Sequence, residues 1–275
     1  MLFRSNAPTS RNGGFIIGVM ILLLVTGFWG GAAYFAAAGL RDVHQVAYVL
    51  VGGFLLKTTF SVKMLHQTAA RVRELLTAGD MAGVRAQMSS LVSRDPSQLT
   101  AEQATAATVE SVSANIADSI IGPWLAFALF GLPGAVAYRA INTLDSMIGY
   151  HGRYEYLGKA SARFDDLVNL IPSRLAGLLL VVASLVLPGQ KASDAWRIML
   201  RDHGKTESPN AGWTMSGMAG ALGVELEKAD HYRLGDATRQ VEPEDITRTV
   251  RTMYVVAGAG LLLALGITYL RSGIW

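Results

Sequence analysis

Residues 15–38 read FIIGVMILLLVTGFWGGAAYFAAA and contain no Asp, Glu, Lys, Arg or His. A helix needs about 20 apolar residues to cross the hydrocarbon core of a bilayer, so this stretch predicts a membrane-spanning anchor. A cleavable signal peptide is the competing interpretation, because Arg4 and Arg11 precede the stretch and Ala36–Ala38 resembles a cleavage site. The apolar run is longer than the roughly 7–15 apolar residues of a signal peptide, which favours the anchor.

Four further apolar segments follow along the chain. They are Val43–Val62, Ser119–Tyr138, Leu175–Gln190 and Met253–Leu270. Polar segments of helical character lie between them, over residues 66–118, 139–174 and 191–252, and no segment alternates long enough to predict a sheet. The sequence therefore predicts an all-α, polytopic integral membrane protein with about five apolar helical segments, some of them re-entrant, in a single membrane domain over residues 1–275.

The composition excludes several classes of protein. Charged residues make up only 16% of the chain, whereas an average soluble domain has about 25% charged residues. The formal net charge of +3 is too small to indicate a nucleic-acid partner, and it fits basic residues that flank membrane helices. The chain has no cysteine, which excludes disulfides, thiolate nucleophiles and Cys-ligated metal sites.

The distribution of basic residues bears on the topology. If every apolar segment crossed the membrane from a cytoplasmic N-terminus, residues 139–174 would lie outside, although they contain Arg139, Arg153, Arg163 and Arg174. Basic residues prefer the cytoplasmic side of a membrane. Re-entrant third and fourth segments would resolve this conflict and place the polar loops on the cytoplasmic side of the cell (inner) membrane.

Polar residues stand at helical spacing beside the apolar segments. They are Asn115 and Asp118 before the third segment, Arg139, Asn142 and Asp145 at its exit, and then Arg163, Asp165, Asp166 and Asn169. Spacings of three and four residues place side chains on shared helix faces. Charged groups beside apolar helices are costly unless they are paired or line a wet cavity, so these residues are candidate site residues. The alternative is structural, with ion pairs of Arg139 with Asp145 or of Arg163 with Asp166 that fix helix ends.

A further candidate is the predicted helix that starts at Ser208-Pro209-Asn210 and ends near Gly223. Ser is a common N-cap residue, and Pro fits the first helical position. The free N–H groups of such a helix start can bind an anion, although most capped helices bind none. The five histidines lack metal-ligand spacing, and the sequence has no P-loop, HExxH or GxSxG motif.

Several strings occur in a characteristic order on this helical chain. They are RAINTLDSMIG at 139–149, ARFDDLVNLIPSR at 162–174, and SPNAGW at 208–213 followed by MAGALGVE at 218–225, with a looser match of VESV at 109–112 together with Asn115 and Asp118. Together these strings resemble the adenosylcobinamide-phosphate synthase family of cobalamin biosynthesis. The resemblance runs from about Val43 to the C-terminus.

The resemblance implies a ligase that acts late in cobalamin assembly. Such an enzyme uses ATP and Mg²⁺ to join aminopropanol, or its O-phosphate, to a propionate carboxyl of the corrinoid adenosylcobyric acid. The product is adenosylcobinamide or its phosphate. The implied surroundings are the lipid bilayer and other cobalamin-assembly enzymes. A carboxylate must be activated before it can acylate an amine. Phosphoryl chemistry needs carboxylates to hold the metal ion and cationic groups to bind the phosphates.

On this basis we assign expected roles to residues of the matching strings. The catalytic candidates are Asn142, Asp145, Asp165 and Asp166. The candidates for binding substrate or phosphate are Arg139, Arg153, Arg163, Asn169, Arg174, Ser208, Asn210 and Gly212. The candidate metal ligands are Asp118 and Asp166, and Asn115 is a further site residue.

Two other functions stay open. One is a small-solute transporter, in which Pro123 and Pro133 would break a helix at the binding site, although the sequence shows no inverted repeat. The other is a non-catalytic relative that serves as a membrane sensor or assembly scaffold. That alternative arises because we expect an acidic residue where this chain has Ala114.

Overall fold

The structure of the protein is a computed structural model, which describes residues 11–89, 96–149, 155–228 and 231–272. The helices are α1 (Arg11–Val43), α2 (Gln45–Thr59), α3 (Val62–Thr77), α4 (Met81–Met88), α5 (Ala101–Ile116), α6 (Gly122–Ile148), α7 (Glu155–Val168), α8 (Leu170–Val186), α9 (Ala192–Asp202), α10 (Ala211–Leu222) and α11 (Pro243–Ser272). A π-helical turn, Ala117–Ile121, joins α5 to α6, and a 3-10 turn, His203–Lys205, follows α9. Two short strands, β1 (Glu225–Lys228) and β2 (Tyr232–Gly235), pair as an antiparallel hairpin.

Long apolar helices dominate the described part of the chain. Four helical stretches are long and apolar enough to cross a membrane. They are Arg11–Val43, Gln45–Thr77, Ala101–Ile148 and Pro243–Arg271, and the broken pair of Tyr156–Val168 with Leu170–Val186 makes a fifth if it counts as one span. These helices confirm the predicted all-α membrane fold and the expected number of apolar segments.

The chain forms two compact units, each assembled from separate stretches of sequence. Unit 1 comprises the described residues within Met1–Phe60, Gly122–Asn169 and Ala264–Trp275. Unit 2 comprises those within Ser61–Ile121 and Leu170–Leu263. The single membrane domain expected from the sequence stays a prediction.

In unit 1, α1 packs closely against two other helices. A β-carbon at Gly18 would overlap the carbonyl oxygen of Leu157, so the backbones of α1 and α7 touch at this point. Further along α1, Leu22 packs against Ile141 and Leu144 of α6. α1 therefore supplies part of the core of unit 1, and its interpretation as an anchor rather than a signal peptide stays a prediction.

α6 reverses its direction at Gly131. This residue has φ +69° and ψ −161°, a conformation that favours glycine. A β-carbon at Gly134 would lie 2.7 Å from the carbonyl oxygen of Ala126, and one at Gly122 would overlap the hydroxyl group of Tyr138. In a straight helix the Cα atoms of residues 122 and 138 would be about 24 Å apart. The two arms of α6 therefore pack against each other as a helical hairpin.

The hairpin of α6 gives the third predicted apolar segment, Ser119–Tyr138, the form of a re-entrant segment. Pro133 follows the turn, near the start of the second arm, where its missing N–H group costs no helical hydrogen bond. Leu129 and Phe130 lie at the tip of the hairpin and are exposed, as expected for side chains that face lipid. The depth of this hairpin in a membrane stays a prediction.

Unit 2 is organised around α10. Every residue from Thr214 to Leu222 is buried, and α10 packs against α5, α8 and α9. Gly220 permits α9 to lie close to α10, since a β-carbon there would overlap the carbonyl oxygen of Asp194. The predicted end of this helix is confirmed, because Gly223 follows it in the left-handed conformation with φ +68°.

Two local predictions differ from the structure. The helix expected to run on through Val62 is broken at Phe60 and Ser61, where the N–H group of Ser61 bonds to the carbonyl oxygen of Ser119. This bond to another part of unit 2 replaces a helical hydrogen bond, which a sequence pattern cannot reveal. The strands β1 and β2 were not predicted, because alternation over only four residues is too short to recognise.

Candidate functional site

Unit 1 contains a network of polar side chains between α6 and α7. The hydroxyl group of Tyr138 donates to Oδ1 of Asn169 at 2.5 Å. Nδ2 of Asn169 then donates to Oδ2 of Asp165 at 2.9 Å. Nδ2 of Asn142 donates to the other oxygen of Asp165 at 3.4 Å, and Nη1 of Arg139 donates to Oδ1 of Asn142 at 3.3 Å. The structure thus brings together four of the predicted site residues and adds Tyr138.

Two further carboxylates belong to the same neighbourhood. Asp145 interacts electrostatically with Asp165 and with Asp166, and Asp166 also interacts with Asp165. Among the described residues, no ion pair joins Arg139 to Asp145 or Arg163 to Asp166. The ion pairs of the structural alternative therefore do not form, and three predicted catalytic carboxylates lie close together.

The network fixes the carboxyl group of Asp165, which is only 8% exposed. Each of its oxygens accepts one amide N–H group, from Asn142 on one helix and from Asn169 at the end of the other. Amide donors orient a carboxylate but carry no charge that would neutralise it. Neighbouring carboxylates repel one another unless a proton or a cation joins them. Such a cluster suits an ammonium group or a hydrated metal ion as its ligand.

Unit 2 contains a second polar cluster, at the start of α10. Nη1 of Arg174 donates to Oδ1 of Asn210 at 2.7 Å. The same nitrogen donates to Oγ of Ser173 and to the carbonyl oxygen of Leu170, each at 3.0 Å. The guanidinium group also lies over the ring of Trp213, 5.0 Å from its centroid. Nε and Nη2 of Arg174 make no hydrogen bond within the described ranges, so that edge can bind two oxygens of a phosphate or carboxylate.

The start of α10 differs from the sequence-based prediction. The helix begins at Ala211, and its N-cap is Asn210 rather than Ser208. The side chain of Asn210 does not cap the helix, because its Oδ1 accepts hydrogen bonds from Ser173 and Arg174. Oγ of Ser208 instead accepts from the backbone N–H group of Asn210 at 3.3 Å. An anion at this helix start would therefore meet the guanidinium group of Arg174 beside the first free N–H groups of the helix.

Gly212 has a structural reason to be glycine. A β-carbon at this position would overlap the carbonyl oxygen of His203. The ring of His203 in turn stacks on Trp213, with 4.1 Å between the ring centroids. This packing explains Gly212 without a ligand, and its expected role in substrate binding stays a prediction.

Asp202 anchors β2 to the end of α9. The carboxyl group accepts hydrogen bonds from Arg201 at 2.7 Å and from the backbone N–H group of Gly235 at 2.9 Å, and Nζ of Lys205 lies 2.6 Å away. Burial by itself would raise the pKa of Asp202, but the hydrogen bonds from Arg201, Lys205 and Gly235 outweigh it and hold the pKa well below its usual range. Asp202 is therefore ionised at neutral pH. It forms an ion pair with Lys205, the basic residue nearest to the start of α10 in the sequence.

Asn115 and Asp118 lie in unit 2, at the π-helical turn. Asn115 donates to the carbonyl oxygen of Ser111 at 2.9 Å and accepts from the hydroxyl group of Ser119 at 2.8 Å, which ties its side chain to the helix itself. The side chain of Asp118 is half-buried. Arg153, the remaining candidate for phosphate binding, lies outside the described residues.

No group of three or more His, Asp or Glu side chains is arranged to hold a metal ion in the part of the chain that the structure describes. Mg²⁺ usually takes only one or two protein carboxylates and completes its coordination with phosphate oxygens and water. A carboxylate such as Asp166, beside two others, therefore fits an ion that arrives with a nucleotide better than an ion held by the protein alone.

Sequence reasoning missed Tyr138, Ser173 and Trp213. Tyr138 ends an apolar segment, where an aromatic residue usually marks a membrane interface. Its spacing gave a usable signal, because Tyr138 stands four residues before Asn142 and hence on the same face of the second arm of α6. Ser173 and Trp213 lie inside the matching strings, but small hydroxyl and aromatic side chains indicate no particular chemistry without their neighbours.

The comparison with known families bears on all of these residues. The family model described as "CobD/Cbib protein" matches residues 2–253, which include every predicted site residue. The chain belongs to this family. The family resemblance of the strings is thereby confirmed, and membership places the chain in cobalamin biosynthesis, where it handles corrinoids in association with a membrane.

Curated relatives of the family cover most of the chain. A cobalamin biosynthesis protein CobD of Dehalococcoides mccartyi (strain CBDB1) is 42% identical over 255 residues, which are 93% of this chain and 82% of that protein. A CobD of Klebsiella pneumoniae subsp. pneumoniae is 39% identical over 265 residues, 93% of this chain and 83% of that protein. The cobalamin biosynthesis protein CbiB of Salmonella typhimurium is 38% identical over 269 residues, 94% of this chain and 83% of that protein. No solved structure matches the chain.

Proposed function

We propose that the chain joins aminopropanol, or its O-phosphate, to a propionate carboxyl of adenosylcobyric acid and forms an amide at the expense of ATP. The product is adenosylcobinamide or its phosphate. Membership in a cobalamin-biosynthesis family supports the corrinoid substrate. The observation that carries the proposal is the network around Asp165, in which two amides orient one carboxylate beside two others.

The carboxylates of unit 1 suit the amine substrate. An ammonium group must lose a proton before its nitrogen can attack a carbonyl carbon, and a positioned carboxylate can accept that proton. Asp165 is the proposed base, because Asn142 and Asn169 hold both of its oxygens. Asp145 and Asp166 add negative charge that attracts the ammonium form of the amine.

ATP and Mg²⁺ are the proposed source of activation. Bound Mg²⁺-ATP supplies a phosphoryl group that makes the carboxyl group of the corrinoid a better acyl donor. In unit 1, Asp166 is the proposed carboxylate ligand of the ion, since Mg²⁺ prefers oxygen ligands. Arg139 can pair with a phosphate, because it donates to the neutral amide of Asn142 rather than to a carboxylate. Asp118 in unit 2 stays a further candidate for a metal ligand.

The cluster at the start of α10 suits the phosphate of aminopropanol O-phosphate. Arg174 is already fixed by Asn210, Ser173 and the ring of Trp213, so little freedom is lost when its open edge binds an anion. The helix N-terminus beside it adds favourable charge. We therefore expect the phosphorylated amine to bind more tightly than aminopropanol.

The direct test uses the purified full chain in detergent, supplied with adenosylcobyric acid, Mg²⁺-ATP and either form of the amine. We expect the corrinoid to gain the mass of the amine less one water, with ATP consumed in proportion, as followed by mass spectrometry. If neither amine gave a product while the protein stayed folded, the ligase proposal would fail in favour of a non-catalytic relative.

Replacement of Asp165 tests the base. Asp165→Asn removes the proton acceptor but keeps the shape of the side chain, so we expect amide formation to fall at least about 100-fold, the contribution typical of a general base. Asp42→Asn, which changes an exposed carboxylate outside the network, is the matched control and should retain activity. Near-normal turnover of Asp165→Asn would remove Asp165 from the catalytic role.

Replacement of Asn210 tests the phosphate site. Asn210→Ala releases Nη1 of Arg174 from its shortest hydrogen bond, so we expect the KM for aminopropanol phosphate to rise about tenfold. The KM for adenosylcobyric acid, measured with the same preparation, is the internal control and should change less than about twofold. Equal effects on both constants would show that the start of α10 does not hold the phosphate.

The transporter alternative receives no support from the break in α6. The reversal at Gly131 is flanked by Leu129 and Phe130, which are apolar and exposed, whereas the polar network begins at Tyr138, beyond the reversal. A broken helix that binds a polar solute would place its polar groups at the break.

A further inference from the structure

An apolar groove runs between α1 and α7 on unit 1. It has a volume of about 620 Å³. Its walls include Phe15, Val19, Leu23 and Gly27 of α1, and Phe164 and Leu167 of α7. Phe15, Leu23, Phe164 and Leu167 are all exposed, so the groove opens to the surroundings of α1, a predicted membrane segment, and of α7, part of a broken pair of helices that could form one span.

One charged residue lines this groove. Arg163 is exposed, and no carboxylate lies within ion-pair distance of it among the residues that the structure describes. Asp165 is two positions further along α7, and two residues in a helix point about 200° apart. Arg163 therefore faces away from the buried carboxyl group of Asp165, and it makes no ion pair with Asp166, which is three positions further along α7. A lone guanidinium group on an apolar, lipid-facing surface is costly unless it reaches the interface or meets an anion.

The packing of α1 and α7 shows which end of the groove lies towards the membrane interface. A β-carbon at Gly14 would lie 3.0 Å from Cβ of Tyr156, so the N-terminal ends of both helices meet there. The guanidinium group of Arg11 lies over the ring of Tyr156, 5.7 Å from its centroid, and marks the polar end. Because helical side chains lean towards the N-terminus of their helix, Arg163 leans towards this same end.

The length of the groove matches one leaflet of a bilayer. From Phe15 to Gly27 the wall formed by α1 is about 18 Å long at the rise of an α-helix. Half of a hydrocarbon core of roughly 30 Å is about 15 Å. An acyl chain can therefore lie along the groove, with its head group towards the end at which α1 and α7 begin and to which the side chain of Arg163 leans.

We propose that this groove binds an anionic glycerophospholipid, with one acyl chain between α1 and α7 and the phosphate paired with Arg163. The guanidinium group offers two parallel N–H donors that match a phosphate. The apolar walls exclude a free nucleotide or a free phosphate as the natural occupant, because neither would cover them. The proposal does not depend on the ligase reaction, and it assigns Arg163 to the lipid rather than to a substrate phosphate.

The test measures lipid retained by the purified full chain in mild detergent. The protein is mixed with equal amounts of phosphatidylglycerol and phosphatidylcholine that carry the same acyl chains, and native mass spectrometry counts the bound lipids. We expect a preference for phosphatidylglycerol. Arg163→Gln should weaken binding of phosphatidylglycerol about tenfold. Arg251→Gln, which removes an equally exposed arginine near the apolar part of α11, is the matched control and should change binding less than about twofold.

A second pair of variants tests the groove itself. A β-carbon at Gly27 meets nothing within 4 Å, and the same is true of Gly266 on α11, so both positions accept a larger side chain without a clash. Gly27→Leu should block the acyl chain and weaken binding of both lipids, whereas Gly266→Leu should not. The proposal is overturned if Arg163→Gln and Arg251→Gln lose lipid equally, if Gly27→Leu binds as the wild type does, or if 10-fold excess inorganic phosphate displaces the lipid.

Discussion

At the scale of single residues, Tyr138 is the point where the hairpin of α6 meets the polar network. Its hydroxyl group lies against Gly122 of the first arm and donates to Asn169, which in turn donates to Asp165. A carboxylate only accepts hydrogen bonds, so Asp165 requires the NH2 group of Asn169 to face it and leaves Oδ1 of Asn169 to accept from Tyr138. The phenol thus holds in place one of the two amides that orient the carboxyl group of Asp165.

Tyr138→Phe should therefore reduce amide formation without removing the fold. Loss of one buried hydrogen bond that orients a catalytic group is worth about tenfold in turnover, and the aromatic ring that packs against Gly122 is kept. Tyr34→Phe, on the exposed side of α1, is the matched control and should change turnover less than about twofold. Turnover by Tyr138→Phe equal to that of the control would show that Asn169 keeps its orientation unaided.

The sequence predicted much of this network and failed at identifiable places. Asn142, Asp165 and Asn169 stood out in the sequence because amides and carboxylates beside apolar helices are energetically unfavourable unless they are paired or line a wet cavity. Arg163 was grouped with them by its spacing from Asp166, yet it lines the apolar groove and makes no ion pair with Asp166. Spacing gives the angle between residues on one helix but not which side faces the neighbouring helix.

At the scale of helices, the glycines of α1 divide into two kinds. Gly18 sits against the backbone of α7, whereas Gly27 faces open space on the same helix. In the sequence, Gly18 follows Gly14 by four residues and Gly27 precedes Gly31 by four. The two pairs look alike, so the sequence cannot show which glycine is needed for packing. Only the position of α7 shows that one glycine is needed for packing and the other is not.

Gly18→Ala should destabilise unit 1, because its β-carbon would overlap the carbonyl oxygen of Leu157 and the two backbones would have to move apart. Overpacking of this kind costs about 1–3 kcal/mol. The midpoint of thermal unfolding in detergent measures it. Gly27→Ala is the matched control and should leave the midpoint unchanged or slightly raised, since Ala is the better helix former. Equal midpoints for both variants would contradict the close contact of α1 with α7.

Helix boundaries were less predictable than the helices themselves. The apolar segments were recognised by length and hydropathy, which depend on the solvent rather than on tertiary contacts. The break at Ser61 and the N-cap at Asn210 depend on contacts with Ser119 and Arg174, which are distant in sequence. The reversal in α6 is intermediate, because Pro123 and Pro133 suggested a break within a re-entrant segment but did not place it at Gly131.

At the scale of the whole molecule, stability should depend on pH through Asp202. The pKa of its carboxyl group is lower in the folded protein than in the unfolded chain, where it is about 3.9. Its contribution to stability is therefore complete above pH 5 and is lost as the pH falls below about 4 towards the folded value. We expect the thermal midpoint of the wild type to fall over this range.

Asp202→Asn should lower the midpoint at pH 7 by about 5–10 °C, because Arg201 and Lys205 lose their shared charge partner. The same variant should show a smaller further loss between pH 5 and pH 3 than the wild type. Asp42→Asn, at an exposed carboxylate, should follow the wild type throughout. Parallel acid curves for wild type and Asp202→Asn would mean that other carboxylates govern the loss.

The interleaving of the two units has a consequence for biogenesis. The chain leaves unit 1 after Phe60, returns at Gly122, leaves again after Asn169 and returns only at Ala264. A ribosome must therefore synthesise nearly the entire polypeptide before the final turns of α11 can complete unit 1. Until then unit 1 lacks its last segment. A chain that ended before Leu263 would leave both units incomplete rather than one of them intact.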